Sequence, residues 1–152
     1  MIVIVILGIV VAFAMPSFRK YVAAQAVRAQ IGDLVGAIRL SRTEAIKRNR
    51  PVTLCRTTDP NAAAPTCAGS GNWADGWLML AGSEVIRVQQ AYNNSGGIEP
   101  FGIASLEFLP NGVVLGATGS FRFRPDLPTQ DSAYEELSKR LCVAASGVTN
   151  PC

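Results

Sequence analysis

The sequence predicts an α+β fold: one long N-terminal helix, half apolar and half amphipathic, packed on a single antiparallel β-sheet head. Three observations predict it. Residues 1–15, MIVIVILGIVVAFAM, carry no polar side chain. Apolar residues then recur at three- and four-residue steps as far as about Asn49. Beyond Pro51 the apolar period falls to two and is broken by turn clusters.

The leading run comes first. At 1.5 Å per residue it covers roughly 22 Å, against the ~30 Å hydrocarbon core of a bilayer. A cleaved signal peptide would place basic residues ahead of the run and a small-residue cleavage site behind it. Here Arg19-Lys20 follows the run, and Pro16-Ser17-Phe18 offers no such site. A core helix of a soluble protein keeps a polar face, which this run lacks. The reading is a hydrophobic segment, residues 1–24, that enters a membrane or a bundle of like helices, with residues 25–152 as the head. Ile2, Ile4, Ile6, Ile9, Val10 and Phe13 are the expected packing residues. In lipid their gain is close van der Waals contact rather than water exclusion. Pro16 is expected to kink the helix, not end it.

The helix continues through Val22, Ala26, Ala29, Ile31, Leu34, Val35, Ile38, Ala45 and Ile46, with Arg28, Arg39, Arg42, Lys47 and Arg48 on the other faces. Gly8, Gly32 and Gly36 lower helix propensity. They mark close approach of another helix, local melting, or glycines tolerated by packing. Strands are expected at 51–56, 76–80, 84–92, 105–109, 112–115, 120–124 and 140–145. Residues 58–72 and 125–132 read as loops, Asn111-Gly112 as a hairpin turn, and Trp73 and Trp77 as sheet core or edge.

Charge is split along the chain. Up to Arg50 there are eight Lys/Arg against two acids, and from Pro51 on six against nine. A head that gripped phosphate backbones would be basic on some face, so nucleic-acid binding by this one is disfavoured. The basic residues past the apolar run suit lipid headgroups or acidic neighbours. Histidine is absent, which removes Ser-His-Asp and Cys-His catalysis and Cys/His zinc sites. No phosphate-cradling glycine loop is present; neither enzymatic activity nor a cofactor is expected. The cysteines are Cys55, Cys67, Cys142 and Cys152. Adjacent pairing, Cys55–Cys67 and Cys142–Cys152, would close two short loops at about 3 kcal/mol each. It would also tie down an end that otherwise frays, and implies an oxidising compartment. Free thiols in a reducing compartment are the alternative.

The apolar run with Gly8 and Pro16, followed by Phe18 and a long helix, resembles the N-terminus of type IV pilins and pseudopilins. The stretch Arg42-Thr43-Glu44-Ala45-Ile46-Lys47-Arg48, running into Pro51-Val52-Thr53-Leu54-Cys55, resembles the helix-to-strand junction of the GspH/FimT family. Trp73-Ala74-Asp75-Gly76-Trp77 and Phe108-Leu109-Pro110-Asn111-Gly112 are similar to its later blocks. The resemblance implies a pilin-like fold and a FimT/FimU-like minor pilin acting in the initiation or tip complex of type IV pilus assembly. The H-type pseudopilin of type II secretion is the alternative. It further implies a single pass of the inner membrane, a periplasmic head, and other pilins or pseudopilins as partners through the N-terminal helix. The family opens on a prepilin-peptidase signal, a phenylalanine and an early glutamate. This chain starts inside the apolar run, so upstream residues are expected and no cleavage or methylation site is assigned. Some FimT-type members bind DNA through a C-terminal glycine-arginine motif; here the matching Val148-Thr149-Asn150-Pro151-Cys152 holds no arginine. Arg122, Arg124, Lys139 and Arg140 are what remains for a DNA contact. A solvated strand face is the stronger reading of the first two.

Overall fold

The computed structural model describes residues 2–116 and 119–152, with side-chain surroundings from residue 17 onward. The chain is led by helix α1 (Ile2–Arg48). Ala23, Val27, Gln30, Leu34, Ala37, Ile38, Ser41 and Ala45 are its buried positions. Steps of three and four keep them on one stripe, which faces the head. The stripe lies about one residue away from the one expected: Ala29 and Ile46 are exposed, and Val22, Ala26, Ile31 and Val35 only half-buried. The polar residues Gln30 and Ser41 occupy the centre of the buried side and hide its phase in the sequence. The helix stops at Asn49, whose φ is 50°. Asn49 N–H donates to Ile46 C=O and Arg50 N–H to Ala45 C=O, both at 3.3 Å. That is the paired-bond stop usually built on glycine; asparagine also tolerates the left-handed region.

Two antiparallel sheets form the head. The first joins β1 (Val52–Arg56), β2 (Trp77–Ala81), β3 (Glu84–Gln89), β5 (Ser105–Phe108) and β6 (Val114–Leu115) in the order β3-β2-β1-β5-β6. The second joins β4 (Gly97–Phe101), β7 (Gly119–Arg124), β8 (Lys139–Val143) and β9 (Thr149–Pro151) in that order. A short helix, α2 (Ala133–Leu137), precedes β8. The leading helix packs over β1, β2 and β5 and reaches β7 and α2. Strand alternation then supplies the core. Val52, Leu54, Trp77, Met79, Leu106 and Phe108 come from the first sheet, Ile98, Phe121, Phe123, Leu141 and Val143 from the second. Both belong to one cluster with Leu34 and Ile38 of the helix.

A side chain and a backbone bond link the two sheets: Val114 N–H of β6 donates to Ala145 C=O, just past β8, at 3.1 Å. Asn72 caps the 3-10 turn Trp73–Asp75; its Oδ1 accepts from Ala74 N–H at 2.9 Å and from Ile98 N–H of β4 at 2.7 Å. Gly97 has φ 121°, and a Cβ there would sit 2.6 Å from Asn72 Nδ2; only glycine lets β4 approach Asn72 this closely. Trp73 stands edge-on to Phe121 with centroids 5.0 Å apart, which confirms it as core. Trp77 is fully buried as well.

Both expected disulfides form, Cys55–Cys67 and Cys142–Cys152, with Cα atoms 5.6 and 5.7 Å apart. The first loop returns along β1, where Ala68 N–H donates to Arg56 C=O at 2.9 Å and the Arg56 guanidinium to Gly69 C=O. Several expectations need correction. There are two sheets rather than one, and β4, β9 and α2 were not anticipated. The strand expected over 84–92 ends at Gln89, that over 112–115 is reduced to Val114–Leu115, and that over 140–145 is shifted to Lys139–Val143. Gly112 (φ 80°) lies in the turn, bonded N–H to Leu109 C=O at 2.8 Å. With five residues between β5 and β6, the loop is longer than a two-residue hairpin. Both unforeseen strands are edges of the second sheet and contain proline (Pro100, Pro151). Proline is admitted in a sheet mainly at its edges, and it erases the strand signal. Among the described residues no helix is long and apolar enough to cross a membrane. The expectation about Ile2, Ile4, Ile6, Ile9, Val10, Phe13 and a kink at Pro16 lies outside the residues whose side chains are described.

Candidate interaction surfaces

The helix is fastened to the head at four levels. At the base, Lys20 Nζ lies 3.0 Å from Asp131. The Asp131 carboxyl is held below the usual carboxylate range, first by the Ala133 N–H it accepts and then by Lys20. One turn beyond, Phe18, Val22 and Ala23 line a cavity of 340 Å³ with Asn94 and Asp126. Higher up, Gln30, 2% exposed, donates to Asn94 C=O (3.2 Å) and accepts from Ser95 Oγ (3.1 Å). Beside it Tyr92 Oη donates to Asp33 at 3.3 Å. Burial pushes the Tyr92 phenol up to about 12, with a further push from Asp33.

The third level is the junction motif. Arg42 donates to Ser146 C=O at 3.0 Å and packs against Gly112 and Gly147. At the fourth level Arg48 pairs with Glu44 (2.6 Å) and Glu84 (2.8 Å), while Arg50 reaches Glu84 (3.4 Å) and Ala81 C=O. The Arg48 hydrogen bond depresses the Glu84 carboxyl, and the two carboxylates raise Arg48. The Arg42–Arg48 stretch therefore clips the helix end to the β2–β3 and β8–β9 turns. Glu84, Asp131 and Gln30 carried no distinguishing signal in the sequence; their partners lie 36, 111 and 64 or more residues away.

The side of α1 turned from the head is different. Tyr21 is 62% exposed there, and Phe18, at the mouth of the cavity with Asn94 and Asp126, is 68% exposed. Gln25, Arg28, Ala29, Gly32, Gly36, Leu40, Ile46 and Lys47 follow on the exposed turns, while the exposed Arg39 and Thr43 border a cavity with Gly147, Val148 and Thr149 of the head. A Cβ at Gly32 or Gly36 would meet nothing within 4 Å, so this chain's own packing does not require either glycine.

The second sheet brings the expected basic residues together only in part. Arg122, Lys139 and Arg140 line a cavity of 310 Å³ with Glu135, Ser138, Pro151 and Cys152. Arg122 stands opposite Arg140 across β7 and β8. Arg124 is diverted to Glu99 at 2.7 Å, Arg122 is 3.9 Å from Glu135, and Lys139 Nζ donates to Glu136 C=O at 2.8 Å. Arg140 lies over the Phe101 ring, 5.9 Å from its centroid. Among the described residues no cluster of three His, Cys, Asp or Glu is placed to hold a metal.

The model of a family described as type II transport protein GspH matches residues 30–147. Two crystal structures of the type IV minor pilin FimU of Pseudomonas aeruginosa (strain PAO1) share the fold. One, in space group P21, superposes with a TM-score of 0.60 at 15% identity, covering 83% of this chain and 87% of that one. The other, in P65, gives 0.56 at 16% identity, covering 84% and 90%. No curated protein matches this chain in sequence.

Proposed function

Since the match over residues 30–147 makes this chain a member of the GspH family, we propose that it is a minor structural subunit of a type IV pilus, acting in the initiation or tip complex. Residues 1–24 would insert in the inner membrane and then join a bundle of neighbouring helices. Residues 25–152 would face the periplasm, the oxidising side that two disulfides require. The observation that carries this reading is α1 itself. At 47 residues it would run about 70 Å, yet its first buried residue among those described is Ala23. Twenty-one residues of the helix, Ile2 to Val22, precede Ala23, and residues 1–15 carry no polar side chain. A helical run without polar side chains suits lipid or other helices.

The experiment charges that segment. Ile6→Glu or Ile9→Asp should abolish recovery of the protein with sheared pili from the host cell while the head keeps its disulfides and its fold. Variants recovered with pili at the wild-type level would end this reading. The family description also supports a second one, an H-type pseudopilin of type II secretion, distinguished by whether deletion blocks protein export or piliation. DNA contact stays the minor alternative, because Arg122 and Arg124 already face carboxylates.

A further inference from the structure

The cavity at the base of the head holds one charge of each sign that the fold leaves unpaired. Phe18, Arg19, Val22 and Ala23 of α1 line it on one side, and Asn94 and Asp126, from the loops that follow β3 and β7, on the other. Val22 and the buried Ala23 give it an apolar wall. Arg19 and Asp126 are exposed, and among the described residues neither forms an ion pair, with the other or with a third group. Lys20, next in the chain, is taken by Asp131. At 340 Å³ the space falls within the ~300–1,000 Å³ of sites that take small organic molecules. Its level along the helix is a second observation. The apolar run ends at Met15. Arg19, four residues on, lies about 6 Å further along the axis. The headgroup layer on each side of a hydrocarbon core is ~5–8 Å thick. The exposed Tyr21 stands at nearly the same level, and membrane–water interfaces are enriched in tyrosine.

We propose that this cavity binds the headgroup of a zwitterionic phospholipid with a primary amine, of the phosphatidylethanolamine class. The phosphate meets Arg19, the ammonium meets Asp126, and the glycerol end lies against Phe18 and Val22. The inference rests on membrane insertion of residues 1–24 and adds to it a preference among lipids. Charge complementarity commits the site to this occupant, because one small molecule must bring an anion and a cation together in 340 Å³. A phosphatidylglycerol headgroup satisfies Arg19 but leaves the Asp126 carboxylate without a counter-charge. A choline headgroup carries its positive charge behind three methyl groups and has no N–H for a charge-assisted hydrogen bond to a carboxylate. The bound lipid ties the base of the head to the bilayer surface, and the tie is released when the helix is drawn out of the membrane.

The test uses the full chain in detergent micelles. Dioleoyl phosphatidylethanolamine, phosphatidylglycerol or phosphatidylcholine is added as the probe, and retained lipid is counted by native mass spectrometry. The three lipids share their acyl chains, so contacts with the apolar run contribute equally. Exposed ion pairs are worth a few-fold each. Wild type should therefore retain one phosphatidylethanolamine about fivefold more strongly than either other lipid, and the preference should fade by about 0.5 M salt. Asp126→Asn should bring phosphatidylethanolamine down to the level of phosphatidylglycerol, and Arg19→Gln should weaken both. Both positions are exposed, and intact disulfides in each variant check the fold. Equal retention of the three lipids, or a preference that survives Asp126→Asn, overturns the proposal. Phosphatidylglycerol held as tightly as phosphatidylethanolamine reduces the site to Arg19 alone and also overturns it. Flotation with equimolar phosphatidylethanolamine–phosphatidylglycerol vesicles separates the two layers of the reading. A chain that floats without headgroup preference overturns this inference alone, whereas one that stays out of the vesicles overturns membrane insertion with it.

Discussion

Removing the two disulfides separately should give unequal losses, although simple loop closure makes them equal. The bridged cysteines are 12 and 10 residues apart. For loops of that length the chain-entropy model assigns each bridge about 3 kcal/mol. The model assumes that the folded state gains no freedom when the bridge is cut. For Cys55–Cys67 that assumption is better met: Cys55 is fully buried in the central strand of the first sheet, and exposed Cys67 is still tied to β1 by Ala68 N–H to Arg56 C=O and by the Arg56 guanidinium to Gly69 C=O. For Cys142–Cys152 it fails. Strand β9 is a three-residue edge strand, half-buried at Thr149 and exposed at Asn150 and Pro151. When freed, it detaches without opening the core, because Leu141 and Val143 stay paired to β7. The folded state then recovers entropy along with the unfolded one. Cys55→Ala/Cys67→Ala should lose the full 3 kcal/mol or so, roughly 6–12 °C in melting temperature for a chain of this size. Cys142→Ala/Cys152→Ala should lose about 1 kcal/mol, with hydrogen-exchange protection falling only in β9 and its β8 partners. Melting and exchange of the purified protein decide it. Equal shifts, or a larger one for the second pair, would refute the reasoning.

Two further substitutions follow from buried polar groups. Ser41 is fully buried and its hydroxyl has no partner among the described residues, so Ser41→Ala should raise stability by about 1 kcal/mol, read as a higher urea midpoint; a lower midpoint would mean the hydroxyl is bonded. The Tyr92 phenol is raised to about 12 in the fold, chiefly by burial, above about 10 in the unfolded chain. The fold favours the neutral phenol, so its contribution is complete below pH 10 and is lost between about pH 10 and 12. Urea titrations over that range should show the loss, and Tyr92→Phe should flatten it.

How much of this was legible in the sequence depends on how local the signal is. The helix, its stop before Pro51, seven of the nine strands among the described residues and both disulfide pairings follow from periodicity, proline and cysteine spacing. Strands β4 and β9 do not, because Gly97, Pro100 and Pro151 are poor strand formers that persist where a neighbour and, for β9, a disulfide hold them. The split into two sheets was invisible for a related reason. It rests on which strands pair, β1 with β2 and β5 but β7 with β4 and β8, between residues far apart in the chain. The basic residues of the second sheet were picked out by type and strand position. Their neutralisation by Glu99 and Glu135 is a matter of register, which single-strand patterns do not encode.

The four attachments between α1 and the head have a mechanical meaning. Lys20, Gln30 with Asp33, Arg42 and the Arg48–Arg50 cluster meet the head at successive heights along one rod. Tension applied to the N-terminal end of that rod is directed along it, across these contacts. It must slide all of them together with the apolar stripe, instead of peeling them open singly. Load is therefore shared, and the head travels with whatever grips the rod.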